Sequence, residues 1–275
     1  LAPVHLEFFE SLEEIALAKK EILNGARPGA TAVLNGDDPF IRKIAADFPQ
    51  DKIIYFGRND KYSVRAEDIE YHGWSGLSFN LVYGQEKARV KLPILIEGLI
   101  INVLAACSVA YYFGLGLTEI LPSLHHLPIL NHRGQLIELK GGIDIYDDSY
   151  NSNPVALEEV LRSLGRLPAG RKIAVLGDML ELGSAENQFH QEIGSRIPDY
   201  GWDYLVTVGP RARFIAQGAL AHGLNPSRIQ SFAQADEAAV WLKSFIRPSD
   251  LVLVKGSRGL CLETIVEHLR KEMET

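Results

Sequence analysis

Three polar loops in the second half of the chain carry residue types that could bind or activate a charged substrate. The loop 147–154 is Asp-Asp-Ser-Tyr-Asn-Ser-Asn-Pro, and the loop 177–183 is Gly-Asp-Met-Leu-Glu-Leu-Gly. The third, 255–259, is Lys-Gly-Ser-Arg-Gly, and cations at a helix N-terminus suit a carboxylate or a phosphate. A simpler interpretation stands beside each: Asn153 and Pro154 are typical of a helix start, and the other two loops can be solvated turns.

Histidines and one lysine are the remaining candidates for chemistry. Lys19 lies on the predicted first helix and His5 in the loop before it. A lysine beside a metal-binding histidine could be functional, although on the sequence alone a surface lysine is the simpler interpretation. The histidines at 125, 126 and 132 have a spacing that fits no common zinc site, so we expect solvated or core histidines there.

The elements that must position these residues follow from the hydrophobic periodicity. Ser11 and Glu14 form a capping-box pattern ahead of a first helix that ends before Gly25. Asp38 and Pro39 predict the start of a helix that runs through residue 48. Between 62 and 94 the period changes to two, which predicts a small antiparallel insertion of hairpins. Helices are expected at 103–113 and 118–126.

After Pro128, predicted strands alternate with helices. The strands are expected at 135–139, 143–146, 172–176, 204–208, 228–232 and 251–254, and the last helix near Leu260. This alternation implies a mainly parallel sheet that is covered on both faces. Ligands of such sheets bind where strands end, so the polar loops are in the right place. We set the domain boundary at Asn131, giving domains 1–131 and 132–275.

The composition narrows the classes of function. The 275 residues include 28 basic and 35 acidic side chains, a net charge of −7, which argues against nucleic-acid binding. The apolar stretch 103–117 is too short to span a bilayer comfortably, so we expect a buried helix and no membrane insertion. The two cysteines, Cys107 and Cys261, lie in apolar helical patterns and suit a reducing, cytoplasmic location.

Taken together, the three loops resemble the Mur ligase family. DDSYNSNP, GDMLELG followed by His190, and KGSRG with Glu263 have the family's order and spacing, and VHLEFFESLEEIALAKKEIL and LNGDDP resemble its central-domain segments. The DDSYN form resembles the branch that adds D-alanyl-D-alanine to UDP-N-acetylmuramoyl-tripeptide. The resemblance implies an α/β fold: a partial central ATPase domain of the P-loop type with a small antiparallel β insertion, then a Rossmann-like C-terminal α/β domain.

The resemblance also implies a reaction and its cofactors, ATP and Mg²⁺. ATP would phosphorylate the tripeptide carboxylate, and the amine of D-alanyl-D-alanine would attack the acyl phosphate while Mg²⁺ neutralises the phosphates. By position, His5 would hold Mg²⁺, and Lys19, or else its neighbour Lys20, would be the lysine that the family carbamylates. The nucleotide would contact Arg133, Asp148 and Asn102. The substrate side would be lined by Asn151, Asp178, Lys255, Ser257 and Arg258.

The chain departs from the family pattern in three places. It has no Gly-Lys dipeptide, and hence no phosphate loop to cradle ATP, and it lacks the uridine-binding domain. Residues 96–99, Ile-Glu-Gly-Leu, stand where the family usually has Gly-Arg-His-Asn, which puts adenine recognition in doubt. With the start at Leu1, these departures predict a C-terminal portion of a ligase that is inactive alone. Two alternatives stay open: a catalytically silent homologue that acts as a binding module, and another ATP-dependent amide ligase of the same superfold.

Overall fold

The structure is a computed structural model that describes residues 1–2, 6–9, 11–128 and 130–273. The chain forms two compact units. The first contains Leu1 and 9–127, and the second contains 2–8 and 128–275. Within the described ranges, no helix has both the length and the apolar character needed to cross a membrane.

The first unit is built on a five-stranded sheet. Its strands, in spatial order, are β1 (Ala32–Asn35), β2 (Ile53–Gly57), β3 (Val64–Tyr71), β4 (Leu77–Tyr83) and β5 (Glu86–Leu92). β1, β2 and β3 run parallel, whereas β4 is antiparallel to β3 and to β5. The predicted antiparallel hairpins are therefore present, and they continue the parallel strands within one sheet.

The first two helices of the first unit begin at the predicted capping residues, and the third begins three residues before the expected position 103. The helices of this unit are α1 (Leu12–Asn24), α2 (Pro39–Ile44), α3 (Ile100–Tyr112) and α4 (Leu117–Leu124). The Ser11 hydroxyl accepts the amide of Glu14 at 3.2 Å, and Asp38 Oδ1 accepts the amides of Phe40 and Ile41 at 2.8 and 3.1 Å. α2 is shorter than predicted, since the Gln50 side chain donates to the carbonyl of Ala45 at 3.0 Å and so terminates the helix.

The second unit is a six-stranded sheet in the order β10-β9-β8-β11-β7-β6. The strands are β6 (Gln135–Leu139), β7 (Ile143–Asp148), β8 (Lys172–Gly177), β9 (Tyr204–Val208), β10 (Ile229–Phe232) and β11 (Leu251–Lys255). All neighbours are parallel except the edge strand β6, which is antiparallel to β7. The helices are α5 (Pro154–Gly165), α6 (Glu186–Arg196), α7 (Arg213–Ala221), α8 (Ala235–Phe245) and α9 (Glu263–Met273).

Both faces of the central strands are covered, as the sequence predicts. Residues 173–176 of β8 and 251–254 of β11 are all 0% exposed. Because side chains alternate between the faces of a strand, burial at every position requires packing on both sides. One of these faces packs on α8 and α9 through Ala238, Leu242, Ile265 and Leu269.

Two expectations about the end of the chain are wrong. The last helix begins at Glu263 rather than near Leu260, because a short 3-10 turn at 258–260 comes first. Cys261 follows that turn in a left-handed conformation with φ of 49°, and it is exposed rather than part of an apolar helix. Cys107 is buried on α3, as predicted.

Candidate functional site

The three polar loops lie at one edge of the second sheet because they follow parallel strands. Asp148 at the end of β7 and Lys255 at the end of β11 are partners in the strand register, and Leu176 of β8 is paired with Lys255 on the other side. We call this edge, with the loops after β7, β8 and β11, the carboxyl edge.

A buried ion pair lies at the centre of the carboxyl edge. Lys255 Nζ donates to Asp148 Oδ2 at 2.5 Å and to the carbonyl oxygen of Asn151 at 2.9 Å. The Lys255 side chain is only 4% exposed. Burial raises the pKa of the Asp148 carboxyl, while Lys255 opposes that rise. Two of the three N–H groups of Lys255 are thus used within the protein, which fixes the position of its charge.

An exposed tyrosine lies against two arginines beside this pair. The guanidinium carbon of Arg133 is 3.9 Å from the centre of the Tyr150 ring, and that of Arg258 is 5.7 Å from it. Arg258 also donates to Glu263 Oε1 at 2.7 Å. The ring orders both guanidinium groups, which leaves planar donor groups turned to solvent where an anion could bind.

The turn that carries Arg133 is tied to the loop after β7. Because β6 is antiparallel, its start returns to the end of β7, and the amide of Gly134 donates to the Asp147 carbonyl at 2.9 Å. The amide of Tyr150 donates to the His132 carbonyl at 3.0 Å. The buried carboxylate of Asp147 accepts His132 Nδ1 at 2.8 Å. His132 is therefore neither a core nor a freely solvated histidine.

Asp178 and Ser257 hold the loops together. The amide of Ser257 donates to the Asp178 carbonyl at 3.0 Å, and the Ser257 hydroxyl accepts the amide of Leu180 at 2.9 Å. Asp178 Oδ1 accepts the amides of Arg211 and Ala212 at 2.9 and 2.6 Å, at the start of α7. Asp178 is 2% exposed, so its side chain stabilises the loop before α7 rather than facing solvent.

His190 holds the loop after β8 in place through both of its ring nitrogens. Its Nε2 accepts the amide of Met179 at 2.9 Å, and its Nδ1 donates to the Glu186 carbonyl at 2.6 Å. Both ring nitrogens are used by a neutral imidazole, and burial lowers the pKa of His190.

Close approach of two strand ends requires glycine at the centre of the edge. A Cβ on Gly256 would lie 2.6 Å from Leu262 Cδ1 and 3.1 Å from the Cα of Gly177. These glycines let the loops after β8 and β11 touch, and so let Ser257 reach Asp178.

Two buried polar atoms at this edge lack a hydrogen-bond partner in the described part of the chain. They are Ser152 Oγ and Glu263 Oε2. Buried polar groups in native proteins are nearly always paired, so these two atoms indicate a place where a ligand or water binds.

Family models match most of the chain in two consecutive parts. The Mur ligase middle domain matches residues 1–110, and the glutamate ligase domain of Mur ligases matches 132–258. This chain belongs to the Mur ligase family.

Individual Mur ligases align with almost the whole chain. The UDP-N-acetylmuramoyl-tripeptide–D-alanyl-D-alanine ligase of Bacillus subtilis is 32% identical over 96% of this chain and 56% of its own length. MurF from Thermotoga maritima in complex with ADP is 28% identical, with a TM-score of 0.83 over 99% of this chain and 60% of that one. MurF from Acinetobacter baumannii is 27% identical, also with a TM-score of 0.83, over 97% and 57%. The chain thus spans less than two thirds of the length of these Mur ligases.

Of the residues expected from the Mur ligase pattern, the second-unit set converges. Lys255 contacts the Asp148 carboxylate and the Asn151 backbone carbonyl, and Arg133 and Arg258 both lie near the Tyr150 ring. Ser257 and Asp178 connect the loops. The sequence does not indicate Tyr150 or the His132–Asp147 pair as site residues. The antiparallel register of β6 with β7 places Arg133 beside Tyr150 and His132 beside Asp147, and the sequence pattern does not predict that register.

The remaining candidates belong to the first unit, apart from His5, which lies outside the described residues. Lys19 is exposed on α1, and within the described residues no ion pair involves it, whereas Lys20 pairs with Asp47 at 2.6 Å. Asn102 is exposed in the first turn of α3. Just before that helix, Glu97 pairs with Arg58 at 2.6 Å.

Proposed function

We propose that this chain supplies the middle domain, 1–131, and the C-terminal domain, 132–275, of an ATP-dependent, ADP-forming ligase. The ligase would join D-alanyl-D-alanine to UDP-N-acetylmuramoyl-tripeptide through an acyl phosphate, in the cytoplasmic stage of peptidoglycan synthesis. Support comes from the alignment with UDP-N-acetylmuramoyl-tripeptide–D-alanyl-D-alanine ligases over nearly the whole chain. The observation that carries the proposal is the carboxyl edge, where the basic side chains of Lys255, Arg133 and Arg258 lie beside unpaired buried polar atoms.

The residues of this edge suit the charges of such a reaction. Arg133 and Arg258 would donate to anionic oxygens of the nucleotide and of the substrate, since planar guanidinium groups bind phosphate and carboxylate well. Lys255, fixed by Asp148 and Asn151, would stabilise negative charge that develops as the acyl group is transferred. Ser257 and Asp178 would keep the loops at the spacing that this requires.

Mg²⁺ would neutralise the phosphates when bound. Among the described residues, no three His, Cys, Asp or Glu side chains are grouped to hold a metal ion. Mg²⁺ commonly takes only one or two protein oxygens and completes its shell with water and substrate phosphates. As a carbamate, the exposed Lys19 would offer such an oxygen, and His5 would add a ring nitrogen.

The test measures ADP release and peptide product with UDP-N-acetylmuramoyl-tripeptide, D-alanyl-D-alanine and ATP. We expect turnover by the full-length gene product and none by the 275-residue chain alone, since this chain has no Gly-Lys dipeptide. Lys19→Ala in the full-length protein should abolish ligation with the fold intact. Lys20→Ala is the matched control on the same helix, because Lys20 is held by Asp47 instead. Equal activity of the two variants, or turnover without the dipeptide, would overturn the assignment.

A catalytically silent homologue is the second candidate, and residues 96–99 favour it. Gly98 and Leu99 stand where the family usually has the His-Asn pair, and Glu97, in place of the family's arginine, pairs with Arg58. A silent protein would bind UDP-N-acetylmuramoyl-tripeptide in calorimetry yet release no ADP when all three substrates are present. Ligation by the full-length protein would eliminate this candidate.

A further inference from the structure

We propose that His132, oriented by Asp147, accepts the proton of the incoming amine at the carboxyl edge. The inference rests on the proposed ligase function and adds to it a residue that the family pattern did not indicate. An amine can attack an acyl phosphate only after it has lost its proton, and an imidazole is the side chain best suited to take it near neutral pH.

The hydrogen bonds of Asp147 fix the proton positions on His132. Asp147 is 1% exposed, and its Oδ1 accepts both the amide and the hydroxyl of Ser149, at 3.1 and 2.6 Å. Its Oδ2 is 2.8 Å from His132 Nδ1. A carboxylate only accepts hydrogen bonds, so Nδ1 carries the hydrogen and Nε2 of the neutral ring keeps its lone pair. Asp147 is thus a positioning residue.

The lone pair of His132 is accessible. The His132 side chain is 28% exposed, and no residue in the described ranges forms a hydrogen bond with Nε2. The backbone of His132 is held in a left-handed conformation with φ of 60°, while its carbonyl accepts the amide of Tyr150. A non-glycine residue in this conformation is held there by its surroundings, which here aim the ring at Asp147.

Several other potential bases of the second unit are paired or buried; His268 Nε2, for example, is a buried atom on α9. Two of them are neutralised by cations, Asp148 by Lys255 and Glu186 by Arg211 at 2.6 Å. His190 uses both of its nitrogens. The Asp178 carboxylate accepts two backbone amides. Glu263 is paired with Arg258 through Oε1, and its Oε2 is buried. Among these groups, His132 Nε2 is the base whose open lone pair lies on a partly exposed side chain.

Charges of both signs surround His132. Arg133 is its chain neighbour and Arg258 lies across the Tyr150 ring, whereas the Asp147 carboxylate contacts the imidazole and the Asp148–Lys255 pair carries no net charge. The two guanidinium groups disfavour the ammonium form of a bound amine, and the Asp147 carboxylate stabilises the imidazolium that forms when His132 takes the proton.

The amine loses two protons and one C–O bond breaks as the amide forms. The ammonium of the dipeptide gives one proton to His132 Nε2, and the freed lone pair forms the C–N bond to the acyl carbon. The C–O bond to phosphate breaks, and the phosphate leaves with the electron pair. The second amine proton goes to the departing phosphate, and His132 returns its proton to water.

The deciding variant is His132→Asn in the full-length protein. Asparagine tolerates the left-handed conformation, and its amide can still donate to Asp147 where Nδ1 did, but it has no group in place of Nε2. We expect the rate of amide formation with D-alanyl-D-alanine to fall by about 100-fold at pH 7, the lower end for loss of a general base. The defect should shrink at higher pH, where more of the dipeptide is a free amine. Asp147→Asn should show the same pH-dependent loss.

Hydroxylamine separates a missing base from a misshapen site. It is unprotonated at neutral pH, so it should trap the acyl phosphate as hydroxamate at similar rates in wild type and His132→Asn. His222→Asn is the matched control, since that histidine follows the end of α7 and its Nδ1 donates to the Gly218 carbonyl in the same helix at 3.0 Å. It should behave as wild type in every assay.

Three outcomes would overturn the role of His132. One is an equal loss with hydroxylamine and dipeptide, which indicates a structural role. Another is a loss that does not change with pH. The third is a wild-type nitrogen-15 NMR spectrum of the 275-residue chain in which His132 carries its hydrogen on Nε2. If the full-length wild type forms neither ADP nor hydroxamate, the proposed function itself fails, and the role of His132 fails with it. If the wild type is active and His132→Asn is equally active, only the role of His132 fails.

Discussion

Replacing Lys255 by Met tests whether the buried ion pair stabilises the second unit. Methionine has a similar length and no charge, so the substitution removes the partner of Asp148 and the hydrogen bond to the Asn151 carbonyl with little change in packing. The carboxylate of Asp148 is then left largely buried, with a side chain only 19% exposed.

The size of the effect follows from the burial of the pair. Removing one partner of a buried ion pair costs about 3–5 kcal/mol in the free energy of unfolding. Burial already raises the pKa of Asp148 against the opposing effect of Lys255, so without the lysine the carboxyl takes up a proton more readily. That limits the loss to the lower end of the range, about 3 kcal/mol at pH 7.5.

The sign of the pH dependence follows from the same pKa. A carboxyl whose pKa is higher in the folded state stabilises the fold at low pH, and that contribution is lost as the pH rises through the folded pKa. Loss of Lys255 raises this pKa further. The destabilisation by Lys255→Met should therefore be smaller at pH 5 than at pH 7.5.

Urea unfolding followed by tryptophan fluorescence measures the effect. Trp202 and Trp241 lie in the second unit and Trp74 in the first, so a Trp74→Phe background reports on the second unit alone. With a slope of about 2 kcal/mol/M, a loss of about 3 kcal/mol shifts the midpoint by about 1.5 M. Adding Asp148→Asn to Lys255→Met should restore part of the loss, because it removes the unpaired charge.

Lys243→Met provides the control for this prediction. Lys243 on α8 forms an exposed ion pair with Glu272, and exposed pairs contribute little to stability. A midpoint for Lys255→Met equal to that of Lys243→Met, or a loss that does not change between pH 5 and pH 7.5, would show that the pair is not stabilising.

Three further predictions follow from the second unit and the cysteines. Burial lowers the folded-state pKa of His190, so the free energy of unfolding of the wild type, measured in urea titrations, should decrease as the pH falls below about 6.5. His190→Gln should remove this part of the pH dependence. An unchanged pH dependence in that variant would contradict the prediction. Asp178→Ala leaves two amides before α7 without their acceptor, and should cost about 2 kcal/mol in the same assay, whereas a cost below the error would refute its structural role. Cys261 is exposed and should react with a thiol reagent in the native protein. Cys107 is buried, with a pKa of about 11, and should react only when the protein unfolds. Rapid labelling of both cysteines in the native protein would contradict the burial of Cys107.

Local signals predicted the elements well where the side chain that defines an end is close in sequence. Asp38 with Pro39 and Asn153 with Pro154 begin α2 and α5, and the amide of Ala156 donates to the Asn153 side chain at 2.9 Å. The alternation of strands and helices predicted the mainly parallel sheet, and with it the shared edge of the three loops. The end of α2 was mispredicted because the Gln50 side chain acts against the helical pattern.

Contacts between distant segments could not be predicted. Asp178 looks like a solvent-facing acid in the sequence, yet its partners are amides more than thirty residues later in the loop before α7. The stacking of Arg133 on Tyr150 depends on the antiparallel register of β6 with β7, which the apolar pattern of a strand does not encode. The pairing of His132 with Asp147 depends on the same register.

The antiparallel edge strand also determines where the second unit can be cut. A fragment that starts at Gln135, the first residue of the sheet, would keep every strand. It would nevertheless lose His132 and Arg133, leaving Asp147 Oδ2 without its donor and Tyr150 without its closer guanidinium. A fragment that begins at Pro128 keeps that turn, so a comparison of the two separates residues needed for folding from residues needed for ligand binding.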